Sequence, residues 1–126
     1  MKSKVLVVGM NPSNVLENKK VRKNSTFDRL NKWMDRWNIS NYSFINTTEK
    51  RFDTISWADV DPARLREAAM HYEKVIALGG FASDSLKKAQ INHFKMPHPS
   101  PRNRLLNDRN YEWEQIEKCA KYLGVW

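Results

Sequence analysis

The chain has 126 residues, with 22 Lys and Arg against 14 Asp and Glu, and its formal net charge is +8. This length suits one domain, residues 1–126, and leaves no room for a second core. The single cysteine, Cys119, excludes an intramolecular disulfide, a four-cysteine metal site and an iron-sulfur cluster, so we expect an intracellular protein. The positive charge favours a polyanionic partner such as nucleic acid. No apolar run approaches the roughly 20 residues of a membrane span, and no signal peptide is evident.

The first half of the chain predicts two strands and a helix. Val5 to Val8 is a continuous apolar run before Gly9, which is typical of a strand buried on both faces of a parallel sheet. A polar, basic loop follows over 14–25. The helical spacing of Phe27, Leu30, Met34 and Trp37 predicts a helix over 26–37, and 42–45 predicts the second strand.

The second half predicts three helices and two strands. Asp61-Pro62 starts a helix whose buried stripe is Leu65, Ala69 and Tyr72. A third strand over 74–78, a helix over 81–89 and a fourth strand over 93–96 follow. The last helix starts near Asp108 and ends at Gly124, and its predicted buried face is Trp113, Ile116, Ala120 and Leu123. This alternation predicts a three-layer α/β/α sandwich with a central four-stranded parallel sheet.

Four polar or glycine-rich segments follow the predicted strands. They are 9–13, 46–48, 79–80 and 96–104. Ligands of parallel α/β sheets bind outside the carboxyl ends of the strands, so these segments form one candidate site. In the last of them, three prolines within five residues predict a rigid loop that presents His98. The alternative for this segment alone is a stiff connector with a solvated histidine.

Two motifs in these segments occur together in one known family. Gly9-Met10-Asn11-Pro12, followed far along the chain by His98-Pro99-Ser100-Pro101-Arg102-Asn103, resembles the active-site motifs of the uracil-DNA glycosylase superfamily. The resemblance is closest to the single-strand-selective monofunctional branch. It implies a cofactor-independent enzyme that flips a nucleotide out of DNA and hydrolyses the N-glycosidic bond of uracil or a 5-modified uracil.

The resemblance also implies roles for individual residues. His98 would donate a hydrogen bond to O2 of the departing base, and Asn11 would position the attacking water. Asn46 would read the base, since an amide matches both N3–H and O4 of uracil. Gly9, Met10 and Phe27 would line the base pocket. Alternatives from the residues alone are a turn role for Asn11, a strand-ending role for Asn46 and core packing for Phe27.

Several further residues are expected to contact DNA. Arg102 occupies the place of a wedge that fills the gap left by the flipped nucleotide, and Arg104 would contact phosphate. Solvent exposure without a DNA contact is the alternative for Arg102. The remaining expected contacts are Ser13, Ser100, Asn103, Lys19 and Lys20, although the two lysines could equally belong to a solvated charge run.

The chain departs from the family in its short length, in the length of the basic loop, and in Ser13 where the closest branch usually has glycine. The excised pyrimidine, with 5-hydroxymethyluracil as one alternative to uracil, and the strand preference are therefore open. Two other functions remain: a catalytically silent DNA-binding protein of this fold, and an unrelated nucleotide-handling α/β enzyme, whose phosphate-binding glycine motifs are absent. The three histidines lack metal-ligand spacing, so no metal is expected. We expect a monomer.

Overall fold

The computed structural model describes residues 3–10, 25–48, 59–99 and 103–125. The strands in these residues are β1 (Ser3–Gly9), β2 (Ser43–Asn46), β3 (Tyr72–Leu78) and β4 (Phe94–Met96). The α-helices are α1 (Ser25–Arg36), α2 (Pro62–Ala69), α3 (Gly80–Lys88) and α4 (Arg109–Leu123). A short 3-10 helix (Arg104–Asn107) precedes α4.

The four strands form one sheet in the order β2-β1-β3-β4, and every pairing is parallel. In the register, Gly9 of β1 lies opposite Asn46 of β2, and Val8 lies opposite Ala77 of β3. β1 and β3 are therefore the central strands, and all four carboxyl ends lie at one edge.

Side chains of β1 alternate between two buried clusters on opposite faces of the sheet. Val5 and Val7 pack with residues of α1 and α4, whereas Leu6 and Val8 pack with residues of α2 and α3. A strand buried on both faces needs this continuous apolar run, because each face is covered by a helix pair. The predicted three-layer α/β/α sandwich is confirmed.

The predicted helix ends are also confirmed at the capping residues. The Asp61 carboxylate accepts hydrogen bonds from the backbone N–H of Ala63 and Arg64, with Pro62 in the first turn of α2. Asp108 caps α4 in the same way, and Gly124 ends it with a φ of 77°.

Three residues lie elsewhere than predicted. Trp113 was expected on the buried face of α4, but it is 42% exposed. The reason is that α1 presents a cation at this level, since Cζ of Arg36 lies 5.2 Å from the indole centroid. Tyr72, expected on the stripe of α2, instead begins β3. Arg104 begins the 3-10 helix and is not part of the loop.

Candidate active site

The candidate site lies at the carboxyl edge of the sheet, where the four strands end. Met10 follows β1, Thr47 follows β2, Gly79 follows β3, and His98 lies two residues beyond β4. The backbone N–H of Gly79 donates to the carbonyl oxygen of Met96 at 2.9 Å, which joins the exits of β3 and β4. The segments that were predicted to share an edge do so wherever the structure describes them.

Gly9 is packed against two side chains of β2. A Cβ at position 9 would lie 2.7 Å from Cζ of Phe44 and 3.0 Å from Oδ1 of Asn46. Phe44 and Asn46 are two residues apart on one strand, so they share a face of the sheet. Glycine is needed here because a side chain would displace the phenyl ring and the amide. The Asn46 amide therefore leans over β1.

Thr47 binds the backbone of the two residues at the end of β1, Gly9 and Met10. Its backbone N–H donates to the carbonyl of Gly9 at 2.9 Å, and its hydroxyl donates to the carbonyl of Met10 at 2.5 Å. Thr47 is fully buried, so these bonds are shielded from water. The backbone that leads into Asn11 is thus held in place at Met10.

Arg64 of α2 binds the backbone of Asn46, the candidate base-reading residue. Its Nη2 donates to the backbone carbonyl of Asn46 at 2.6 Å. A guanidinium on a carbonyl forms a charge-assisted hydrogen bond, which is stronger than a neutral one. Asn46 is therefore positioned through its backbone by Arg64 and by the sheet register with Gly9.

His98 packs over the end of β3. A Cβ at Gly79 would lie 3.4 Å from Cβ of His98 and 3.7 Å from its Cδ2, and the φ of Gly79 is 88°. Glycine adopts this positive φ without strain. Burial of His98 lowers the pKa of its imidazole below the ordinary 6.5, because the charged form is disfavoured away from water. The ring is neutral at pH 7.

The loop that carries His98 is closed by Asn103. Its Nδ2 donates to the carbonyl of His98 at 2.9 Å, while its Oδ1 accepts from the backbone N–H of Leu105 at 3.1 Å. Pro97 and Pro99 on either side of the histidine are buried. Asn103 was predicted to contact DNA, and the structure shows that its side chain already binds the two ends of this loop.

Asn46 and His98 each contact the end of one of the two central strands. Asn46 contacts Gly9 on β1, and His98 contacts Gly79 at the end of β3. Since Val8 lies opposite Ala77, the two glycines follow paired residues at the ends of neighbouring strands. An amide and an imidazole thus belong to the same edge of the sheet.

Phe27 of α1 contacts Phe44, the residue whose ring lies beside Gly9. The two rings meet edge to face, with centroids 5.0 Å apart and an interplanar angle of 65°. Phe27 is partly buried and packs against the core, as one of its two predicted roles requires. The same pair also supplies an apolar wall next to Gly9.

Six of the predicted site residues lie outside the described residues: Asn11, Ser13, Lys19, Lys20, Ser100 and Arg102. The structure brings together Gly9, Met10, Asn46 and His98, and it places Phe27 one ring further away. Arg104 is exposed at the start of the 3-10 helix.

Sequence reasoning missed the structural roles of three residues that build the site: Phe44, Thr47 and Arg64. Period-two alternation along β2 could have placed Phe44 beside Asn46. The bond from Thr47 to Met10 and the bond from Arg64 to Asn46 join segments 37 and 18 residues apart, and no local pattern marks such pairs.

The other histidines and the cysteine have no place in the site. His71 is exposed, whereas His93 bridges the Ser83 hydroxyl at 2.8 Å and the carbonyl of Ile91 at 2.9 Å. Burial raises the pKa of Cys119 to about 12, so its thiol stays protonated. The described residues contain no group of three His, Cys, Asp or Glu side chains that could hold a metal ion.

Comparison of the sequence with protein-family models and with curated proteins found no match. None of the helices in the described ranges is long and apolar enough to cross a membrane.

Proposed function

We propose that the protein is a monofunctional DNA glycosylase that hydrolyses the N-glycosidic bond of uracil, or of a 5-modified uracil, in a flipped nucleotide. The observation that supports this proposal is that Asn46 contacts Gly9 and His98 contacts Gly79, at the carboxyl ends of the two neighbouring central strands. Gly9 and Met10 of the first motif and His98 of the second lie at this one edge of the sheet, where α/β proteins bind ligands.

Base recognition is the role proposed for Asn46. Its Oδ1 accepts from N3–H of uracil, and its Nδ2 donates to O4. Cytosine presents an acceptor at N3 and a donor at C4, so the same amide orientation rejects it. The backbone of Asn46 is fixed by Arg64, which keeps the amide in position for this choice.

His98 stabilises the base as it leaves. The C1′–N1 bond breaks with its electron pair on the base, water supplies the hydroxyl group at C1′, and the proton of that water passes to solvent or to the base. Because the lowered pKa keeps His98 neutral, the imidazole stabilises the developing charge on O2 by donating a hydrogen bond. Asn11, which follows Met10 in the chain, is proposed to orient the water.

The proposal is tested by base release from oligonucleotides that carry one uracil, 5-hydroxymethyluracil, thymine or cytosine, in single strands and in duplexes. Alkali after incubation converts a released base into a strand break. We expect breaks at uracil or at a 5-modified uracil, and none at cytosine. Binding without release from any of these substrates would contradict the proposal and support a catalytically silent DNA-binding protein.

Two variants with matched controls test the assigned residues. We expect His98→Ala to slow single-turnover release by about 10²-fold or more, and Asn46→Ala to slow it by roughly 30-fold or more, the cost of an unpaired buried edge. DNA affinity should barely change. The exposed His71 and Asn92 supply the controls, so His71→Ala and Asn92→Ala should release base at the parent rate. Equal effects of site and control variants would refute the assignment.

A further inference from the structure

A groove of about 770 Å³ runs between α1 and α4, on the face of the sheet that Phe27 and Phe44 share. Its volume is within the range of about 300 to 1,000 Å³ that is typical of ligand sites. Four cations and two carboxylates line it, together with two indole rings: Arg29, Lys32, Arg36, Arg109, Asp35, Glu112, Trp33 and Trp113. None of the roles proposed for the carboxyl edge uses these residues.

The groove is built from rigid parts. The Trp33 indole N–H donates to Oε2 of Glu112 at 2.9 Å, and the Trp37 indole N–H donates to the carbonyl of Ile116 at 3.0 Å. The first bond joins α1 to α4, the second joins the residue that follows α1 to α4, and both tryptophans are almost fully buried. The two helices therefore keep a fixed separation, and a ligand would meet a preformed floor.

The cations of the groove differ in whether they are paired with a carboxylate. Nε of Arg29 lies 3.8 Å from the same Glu112 oxygen, which offsets its charge in part. Lys32 and Arg109 are exposed, and no ion pair joins either of them to a carboxylate in the part of the chain that the structure describes. Arg109 also lies in the first turn of α4, where the helix dipole disfavours a cation. Lys32 on α1 and Arg109 on α4 are therefore two cations on opposite walls of one groove, an arrangement that fits two phosphates of one nucleic-acid strand.

The aromatic lining points to unpaired bases. Trp113 is 42% exposed in this groove, with the Arg36 guanidinium 5.2 Å from its ring centroid. Indole and guanidinium surfaces next to cations are the combination by which proteins bind single-stranded nucleic acid, because unpaired bases expose their faces for stacking. A duplex hides those faces, so the lining favours a single strand.

The two helices that line the groove begin close in sequence to residues of the candidate site. Phe27, which packs on Phe44 next to Gly9, lies only two residues before Arg29 on α1. On the other wall, Arg109 is the first residue of α4 and follows the 3-10 helix that Asn103 connects to the His98 loop. From Arg29 to Arg36 the wall formed by α1 is about 10 Å long.

We infer that the α1–α4 groove is a binding site for single-stranded nucleic acid, in which Lys32 and Arg109 contact phosphates and Trp113 with Arg36 contacts bases. This inference rests on the proposed function only in that the bound strand would continue from the nucleotide in the active site. Binding to the groove needs no base release.

The test measures the affinity of a fluorescent oligothymidine, which contains no uracil, at several salt concentrations. We expect the double variant Lys32→Ala, Arg109→Ala to bind about tenfold or more weakly near 0.1 M salt, and its salt slope to fall by about 1.4, since each phosphate contact of a single strand contributes about 0.7. The matched control is Lys87→Ala, Lys121→Ala, which removes two exposed helical lysines outside the groove. We expect it to keep most of the affinity.

Three outcomes would overturn the inference: equal losses in the groove and control variants, an unchanged salt slope in the groove variant, or an equal loss of affinity for duplex DNA. A Lys32→Arg, Arg109→Lys variant, which keeps both charges, should bind like the parent, and a loss there would also count against phosphate contacts. Base release from a short uracil substrate is followed separately. If the groove variant binds like the control while the parent releases base, the groove inference is wrong and the proposed function is unaffected. If the groove variant loses affinity as expected but no base is released, the proposed function is wrong and the groove inference is unaffected.

Discussion

His98 lies in a rigid loop and its imidazole has a lowered pKa, and both properties follow from how the residue is packed. Its ring lies against Gly79, and Asn103 holds its backbone carbonyl. Removal from water disfavours the imidazolium, so burial lowers the pKa of His98. A neutral ring can donate a hydrogen bond to a departing base without the cost of burying a cation.

The same burial predicts how stability changes with pH. Since the pKa of His98 is lower in the folded state than the unfolded value of about 6.5, the unfolded chain binds the extra proton first as the pH falls. The contribution of His98 is therefore complete above about pH 6.5 and is lost as the pH falls through its folded-state pKa. We expect the melting temperature of the parent to drop between pH 7.5 and 5, and His98→Gln to drop less. His71→Gln, at an exposed position, should follow the parent, and parallel curves for all three proteins would contradict the burial effect.

At the scale of the elements, α2 supports the site through the backbone of β2. The helix is fixed at its start by Asp61 and Pro62, and this places Arg64 one turn later against the carbonyl of Asn46. Arg64 is a positioning residue, because it acts on the base reader through the backbone of β2. A shift of this strand end would move the amide that chooses between bases.

We expect Arg64→Ala to lower kcat for release of the preferred base by about tenfold, which matches the roughly 1.5 kcal/mol or more of a charged hydrogen bond. The ratio of the release rate at the preferred base to that at cytosine should fall, because the Asn46 amide is then less well oriented. Arg64→Lys keeps a charged donor and should restore part of kcat. The control is Arg66→Ala, an exposed arginine on the same helix. A change in KM alone, or no rescue by lysine, would show that Arg64 only supports folding or DNA binding.

Elements were predictable from the sequence where one local signal dominates. The apolar run of β1 and the aspartate caps of α2 and α4 are such signals: β1 and α4 occur within one or two residues of the predicted bounds, and α2 starts at the predicted residue. Trp113 fits the spacing of its helix, but its partner helix presents Arg36 at that level, and a pattern within one helix carries no information about the facing one. Arg64 and Thr47 were missed for the same reason, since each makes its bond to a residue far away in the chain.

At the scale of the whole molecule, the sheet order brings distant segments together. β1 and β3 are neighbours, so residue 9 and residue 79 end up side by side although 70 residues separate them in the chain. β2 and β4 flank them and contribute Asn46 and the His98 loop from either side. A site of this kind exists only in the folded sheet, and each of its proposed functional groups comes from a different strand end.

This assembly predicts how the two sequence motifs should combine in one reaction. Asn11 follows Met10 at the end of β1, while His98 follows β4. If Asn11 orients water at C1′ and His98 stabilises the base on the other side of the bond, each alanine substitution should slow single-turnover release by about 10²-fold or more. Both substitutions weaken the same transition state, so the double variant should lose less than the product of the two factors.

The measurement is a double-mutant cycle on base release, with DNA affinity and melting temperature recorded for each variant. Affinity should barely change, because neither group is proposed to contact phosphate. The control pair Asn92→Ala, His71→Ala uses the same residue types at exposed positions and should leave the rate unchanged. Losses that multiply fully would mean that the two groups contribute independently, without coupling between the two motifs. Parent-level release by a folded Asn11→Ala, His98→Ala protein would show that both loops are structural, and the glycosylase proposal would then be wrong.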